Sequence, residues 1–378
     1  MRSRGAAVAL TAAVTAFVWG LLRAESQSAI AALLALAVAA GFVLLKTRWL
    51  DPLAGAALAN ERFAQGLAVA SVAALALVLR DDDFALLLVT RVLIVIVACL
   101  GLNVQFGYAG VVNFAGASFF GVGGYTAAVL ARATGLPHVL ILLAGGVTAA
   151  LTGTVLLLPI LRTRGHYAAL ITIAFALLFR TFLEVNDALG GPQGLKLGEM
   201  RIGPIRFNDP VGIGPFEGSF YLKYVAVALI LLALAFALVL RLERSWIGLA
   251  LDAVRIDEIA AASFGLDVAR WKIAAFTIGN FVIGVAGALS AFMIGFIAPN
   301  NYTFAESLIF VSVLLLGGIG NPWGLSLAAA IVILVPEKLQ VIQEYRFLMF
   351  ATLVVLVLLF RPVGLLPRPL RRLVERSP

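Results

Sequence analysis

Arg241–Lys272 reads RLERSWIGLALDAVRIDEIAAASFGLDVARWK, a charged, amphipathic stretch between two apolar runs, Phe220–Leu240 and Ile273–Met293. Each run exceeds the roughly 18 residues that a helix needs to cross a hydrocarbon core about 30 Å thick. The stretch between them therefore belongs outside the membrane, as short helices. Ser245 suits an N-cap, Asp257-Glu258-Ile259-Ala260-Ala261-Ala262-Ser263 combines helix formers with acidic residues, and Gly265 suits the left-handed position past a helix end. Two readings follow from the residues alone. A compact alanine-rich helix fits a groove in a partner protein, and an amphipathic helix also fits the membrane surface.

Outward from this loop the same alternation recurs. The 378 residues are 62% hydrophobic and 13% charged, with a mean hydropathy of +1.05, which excludes a soluble chain. The apolar residues form about twelve runs, so the expected fold class is all-α, a polytopic helical membrane protein of about ten to twelve membrane segments, some broken or re-entrant. Cys99 is the single cysteine, and His138 and His166 are the only histidines; neither a disulfide framework nor a usual metal site is expected. The net charge of +8 is read as sidedness rather than nucleic-acid binding. With both termini inside the cell, Arg241, Arg244, Arg255, Arg270 and Lys272 share a side with Arg2, Arg4, Lys46, Arg48, Arg62, Arg162, Arg164 and the C-terminal arginines, which gathers most of the cations there. Gly5–Leu22 follows a basic start but has no clean small-residue cleavage site, and a second apolar run, Ser28–Leu45, comes directly after it. It is read as a span rather than a signal peptide.

Two glycine clusters punctuate the runs. GLNVQFGYAGVVNFAGASFFGVGG at Gly101–Gly124 mixes glycines at helix-packing spacing with Asn103, Gln105, Asn113 and Ser118. The glycines suit close helix approach, whereas amides at bilayer depth need a cavity or a partner helix. The second cluster, Gly317–Gly324, lies between two short runs and reads either as a broken helix or as a tight turn. Whether the two clusters are halves of a repeat is left open by the sequence. Glu184–Lys223, rich in Gly and Pro, is expected as an external loop with a short hairpin, a lid or docking surface. Arg91 sits one to two turns into a run, where snorkelling to the outer interface suits it.

Asp257-Glu258-Ile259-Ala260-Ala261 with Gly265 resembles the cytoplasmic EAA loop of ABC importer permeases. More narrowly, the chain resembles LivM-type permeases of branched-chain amino-acid ABC transporters. The resemblance rests on GLNVQFGYAGVVNFAGASFFGVGGYTAAVL, RTRGHYAALITIAF, GGPQGL, the EAA-like segment, GFIAPNNYTF and LLLGGIGNPWG, in that order, and covers Arg91–Pro367. One departure is visible: other EAA loops place their acid six residues before the glycine, where this chain has Ile259, with Glu258 preceding it.

The resemblance implies an ABC importer permease fold, with an N-terminal helical extension and basic linker over 1–65 and a transmembrane domain over 66–378. Residues 184–223 would be external and 241–272 a cytoplasmic coupling loop. It implies a multi-pass subunit of the bacterial inner membrane, N-in and C-in, importing branched-chain or related amino acids. Its partners would be a second, LivH-type permease, two ABC ATPase subunits and a periplasmic or extracellular amino-acid-binding protein. The chain has no G-x-x-x-x-G-K-[ST] motif, in keeping with a subunit that is no enzyme and carries no cofactor, ATP and Mg²⁺ residing on the ATPases. Asp257, Glu258, Ala260, Ala261 and Gly265 are the expected ATPase-coupling residues. Asn103, Asn113, Ser118, Tyr125 and Thr172 are the candidates for lining the translocation path, each equally able to cap or cross-link helices. The rival functions are an ion-coupled secondary transporter of small amino acids or amides, and a membrane enzyme holding Mg²⁺ on Asp81-Asp82-Asp83, which lacks a second acidic cluster.

Overall fold

The computed structural model describes residues 2–24, 26–30, 61–161, 167–213 and 216–338, with isolated positions elsewhere that include 364–366 and 368. Most of the expected helix at Ser28–Leu45, most of the basic linker, Arg162, Arg164 and most of the Phe347–Phe360 run lie outside the described residues. The chain divides into two compact units. The smaller comprises Met1–Thr90, Asp209–Leu229 and Leu334–Glu344, and the larger Arg91–Asn208, Ile230–Ile333 and Tyr345–Pro378. The boundary proposed near residue 65 stands beside this division as a proposal from sequence.

In the smaller unit α1 (Arg2–Arg23) packs on α2 (Glu61–Val78). The turn after α2 holds the three aspartates. Asp82 accepts a hydrogen bond from Ala85 N at 2.9 Å and so caps the start of α3 (Asp83–Asn103), while Asp81 pairs with Arg80 at 3.5 Å. Local turn chemistry thus accounts for two of the three acids.

The larger unit is built on a bundle of helices. α4 (Gly116–Ala133) and α5 (His138–Ile160) pack along α10 (Val268–Ile294), whose middle is buried on all sides. Glycines make that possible. A Cβ on Gly279 would stand 2.5 Å from the Gly101 carbonyl oxygen, and one on Gly145 would stand 2.9 Å from the Gly123 oxygen. Gly123 in turn lies directly on the Gly284 backbone. In lipid, where apolar burial between helices contributes little, such backbone approach supplies the packing. α6 (Tyr167–Val185) and α7 (Tyr221–Glu243) follow, then the short α8 (Trp246–Ile256) and α9 (Glu258–Ser263) that lead into α10. Among the described residues five helical stretches are long and apolar enough to cross a membrane: Asp83–Tyr108, His138–Pro159, Tyr167–Val185, Tyr221–Glu243 and Val268–Ile294. The chain is an all-α polytopic membrane protein.

The expected external loop carries more order than one hairpin. After two 3-10 turns, β1 (Leu195–Lys196) pairs antiparallel with β6 (Phe296–Ile297), so GGPQGL and GFIAPNNYTF lie side by side. Gly194, at φ +73°, is pressed against the backbone of Ile297 and Ala298, an approach a side chain would block. β2 (Arg201–Ile202) pairs with β3 (Ile205–Arg206), and β4 (Val211–Ile213) with β5 (Phe216–Gly218). The second glycine cluster is a tight turn. It joins α11 (Phe304–Gly317) to α12 (Pro322–Lys338), with Gly318 and Gly320 at positive φ and Asn321 accepting from Trp323 N at 3.0 Å.

Candidate functional site

Two features of the larger unit carry the candidate residues: the interruption after α3 and the loop of α8 and α9. α3 runs without a gap into a π-helical turn, Val104–Tyr108, and the chain is then non-helical until α4 begins at Gly116. A π turn widens the helix by one residue and leaves carbonyls and N–H groups out of register, and such turns are frequent at functional sites. Gly110, at φ +69°, takes the chain out of the helix.

Gln105, on this turn, is the hub of a chain of side-chain amides. Its Nε2 donates to Asn280 Oδ1 at 2.9 Å and to Phe276 O at 3.3 Å, and its Oε1 accepts from Asn113 Nδ2 at 2.6 Å. Asn113 Oδ1 accepts from Ala115 N at 2.8 Å. The break is thereby tied to α10 on one side and to the start of α4 on the other. Two further hydroxyls serve free backbone N–H groups: Ser307 Oγ accepts from Ala117 N at 3.0 Å, and Thr172 Oγ1 accepts from Phe114 N at 3.1 Å while donating to Ala169 O. Asn103 Oδ1 accepts from Gly320 N at 2.8 Å, which joins the two glycine clusters. A Cβ on Gly107 would stand 2.9 Å from that same nitrogen. Asn103, Gln105, Asn113, Thr172, Asn280 and Ser307 are all fully buried. An unpaired amide costs most in such surroundings, so a connected network is what allows them there.

The five candidate path residues are therefore not equivalent. Asn103, Asn113 and Thr172 converge on the break and make helix-bracing hydrogen bonds. Ser118 lies in the first turn of α4, buried, its hydroxyl without a partner. Tyr125 stands two turns further along α4, in an apolar cluster with Leu183, Leu195, Ile297 and Tyr302, its ring 5.8 Å from that of Tyr302. Its hydroxyl and Asn103 Nδ2 and Asn280 Nδ2 are also buried without a partner. Gln105, Asn280 and Ser307 join the network from outside the five residues expected to line the path. The criterion applied to Asn103, an amide inside an apolar run, selects Asn280 as well. Arg91 is half-buried in α3.

The loop of α8 and α9 is held by its caps. Ser245 Oγ accepts from Gly248 N at the start of α8. Asp257 ends α8 and caps α9, its Oδ1 accepting from Ile259 N at 2.9 Å and Ala260 N at 3.0 Å. At the far end Gly265, at φ +83°, donates from its N to Ala262 O while Leu266 N donates to Ala261 O, a Schellman closure. Glu258 reaches Lys272 Nζ at 2.6 Å, and Asp267 caps α10 through Arg270 N. Ala260 is exposed and Ala261 buried. Between these fixed points five large apolar side chains are exposed, Trp246 and Leu249 on α8 and, most of all, Ile256 at 75%, Ile259 at 79% and Phe264 at 89%.

Residues 84–359 match the family model of the branched-chain amino acid transport system permease component. The chain is 36% identical over 292 residues to the high-affinity branched-chain amino acid transport system permease protein LivM of Escherichia coli K12, covering 74% of this chain and 69% of that one. It is 25% identical over 324 residues to a probable LivM of Methanocaldococcus jannaschii, with 72% and 90% covered, and 24% identical over 288 residues to LivH of Salmonella typhimurium, with 71% and 90% covered. No solved structure matches it. With its buried amide-braced helix break, its spans and its capped loop, the chain belongs to the family of permease components of branched-chain amino-acid transport systems.

Proposed function

We propose that this permease is one transmembrane subunit of an ATP-driven ABC importer, and that its α8–α9 loop is the surface on which a separate ATPase subunit docks. The observation that carries the reading is the outward apolar trio Ile256, Ile259 and Phe264 on a loop whose backbone is fixed by Ser245, Asp257 and Gly265. Rigid display of apolar side chains beside charged ones is the character of a docking surface, with the aromatic and aliphatic anchors central to it. Ile259 stands where other EAA loops carry their acid, so on this chain the partner-facing contact is apolar. Asp257, Glu258, Ala261 and Gly265 then act by shaping the loop, and Ala260 by leaving room for the partner.

On this reading ATP and Mg²⁺ bind the partner ATPases, a LivH-type permease completes the membrane part, and a binding protein delivers a branched-chain amino acid from outside. Both termini lie inside. The translocation path is assigned to Asn103, Asn113, Ser118, Tyr125 and Thr172, of which Ser118 and Tyr125 carry free hydroxyls. An ion-coupled transporter would place a carboxylate inside the spans. Among the described residues the acids in the five long apolar helices and in α11, Asp83, Glu184, Glu243 and Glu306, instead stand in a first or last turn, of α3, α6, α7 and α11 respectively.

The test is co-purification. From cells that produce all subunits, the wild-type permease is expected to bring both ATPases through detergent extraction. Ile259→Asp is expected to reduce that recovery by roughly tenfold or more, the effect of losing a central anchor. Full recovery with Ile259→Asp would overturn the docking assignment.

A further inference from the structure

One side chain outside every motif noted above joins four separated segments of the larger unit. Arg368 places its guanidinium in a fork on Asp252 of α8, Nη1 to Oδ1 at 2.6 Å and Nη2 to Oδ2 at 2.9 Å. Its Nε lies 3.4 Å from Glu243 Oε1 at the end of α7. The guanidinium carbon sits 4.4 Å from the centre of the Tyr108 ring, the last residue of the π turn. Its stem runs against Gly320, where a Cβ would stand 2.7 Å from Arg368 Cδ. Tyr108 Oη lies 3.3 Å from both Glu243 Oε2 and Gly320 O, closing the cluster. Arg368 and Glu243 side chains are only 10% and 13% exposed.

A buried ion pair is a weak source of net stability, because desolvation offsets most of the attraction. What it supplies is geometry: a bidentate arginine stacked on an aromatic ring fixes distance and direction at once, which lysine cannot do. Asp252 lies one helical turn before Ile256, the start of the exposed apolar surface, so a displacement of α8 is carried to Asp252 with little loss. Arg368 passes it to Tyr108, and Tyr108 is continuous with Gln105 and the amide network.

We propose that Arg368 is a positioning residue, a rigid strut that transmits movement of the α8–α9 loop to the helix break at Val104–Tyr108. The proposal rests on the docking reading above and adds to it the mechanical connection from the docking surface to the spans.

The experiment uses the complete transporter, with its partner permease, ATPases and binding protein, in proteoliposomes. Uptake of labelled leucine, isoleucine and valine and hydrolysis of ATP are measured in the same vesicles. Arg368→Ala is expected to keep the ATPases bound and ATP hydrolysis running, while amino acid transported per ATP falls at least roughly fivefold, the lower end of typical coupling between sites. Arg368→Lys, which keeps the charge and loses the fork, should fall between. Tyr108→Phe, which keeps the ring, should stay near wild type, whereas Tyr108→Leu should match Arg368→Ala. The double variant Arg368→Ala with Tyr108→Leu should be no worse than either alone, as residues acting in one chain are not additive. An unchanged ratio in Arg368→Ala overturns the strut, and so does release of the ATPases, which would make Arg368 an assembly residue. Where Arg368→Ala fails to accumulate, Arg368→Lys and Asp252→Asn carry the same comparison. Failure of the docking reading appears elsewhere, as ATPases that remain on the Ile259→Asp complex.

Discussion

The helix break and the α8–α9 loop invert ordinary burial in opposite senses. At the break, Asn103, Gln105, Asn113, Thr172 and Asn280 are buried completely, whereas on the loop Ile256, Ile259 and Phe264 stand in the open. Buried amides are tolerated because each finds at least one partner, and their geometry is then fixed by hydrogen bonds rather than by lipid. Exposed apolar groups find no such compensation within the chain, so their backbone must be held from the ends, by Ser245, Asp257 and Gly265. The difference teaches that the break is held mainly by bonds within the chain, although Asn103 Nδ2 and Asn280 Nδ2 stay unpartnered, whereas the proposed docking role would have the loop covered by a partner. It also separates the variants: those at the break should act on the stability of this subunit, and those on the loop on its relations with others.

The largest effect is expected at the hub of the network. Gln105→Leu removes the partners of Asn113 Nδ2 and Asn280 Oδ1 at once. Each buried group left unpaired costs roughly 1–3 kcal/mol. The unfolding midpoint of the purified permease in detergent should drop accordingly, and the protein should accumulate poorly. Ile256→Ser on the loop should leave the midpoint unchanged, within about 0.5 kcal/mol, the usual range for surface substitutions. Equal losses from the two would break the contrast between a break braced from within the chain and a proposed docking surface.

The contrast also tracks what the sequence discloses. The two cap positions expected in the loop, Ser245 and Gly265, are set by their own neighbours in sequence, and the structure has each in its expected place. The all-α membrane class is equally plain, because a long apolar run has few other uses. What stays hidden is pairing over long separations. Gln105 and Asn280 are 175 residues apart and Arg368 and Asp252 116, and nothing local to any of them names its partner. Glycines at helix spacing announced close approach without saying to which helix, so the meeting of Gly107 with Gly320 emerged only from the fold. The Gly317–Gly324 cluster shows the same limit, since a broken helix and a turn share one composition.

A smaller effect is expected at Gly265. No atom lies within 4 Å of a Cβ built there, so a side chain is opposed by its backbone conformation alone, φ +83°. That conformation costs a residue with a Cβ roughly 1–2 kcal/mol, more for a β-branched one, while asparagine tolerates it. Gly265→Val should lower substrate-stimulated ATP hydrolysis of the reconstituted complex with membrane insertion intact, and Gly265→Asn should retain most of it. Normal stimulation with Gly265→Val would mean that the Schellman closure is not needed to display Phe264.

The smallest effect is expected at Glu258, although it is the acid that precedes Ile259 in the EAA-like segment. Its carboxylate lies 2.6 Å from Lys272 Nζ, and its side chain is 57% exposed. An exposed pair of this kind contributes roughly 0–1 kcal/mol and weakens with salt. The bond ties the start of α9 to the first turn of α10, so its role is to orient the loop from within, leaving the outward position to Ile259. Glu258→Gln should change the transport rate by no more than about twofold, and raised salt should reproduce that change on the wild type. If Glu258→Gln instead released the ATPases as Ile259→Asp is expected to, the carboxylate itself would be the contact. The loop would then be completed by charge rather than by apolar burial.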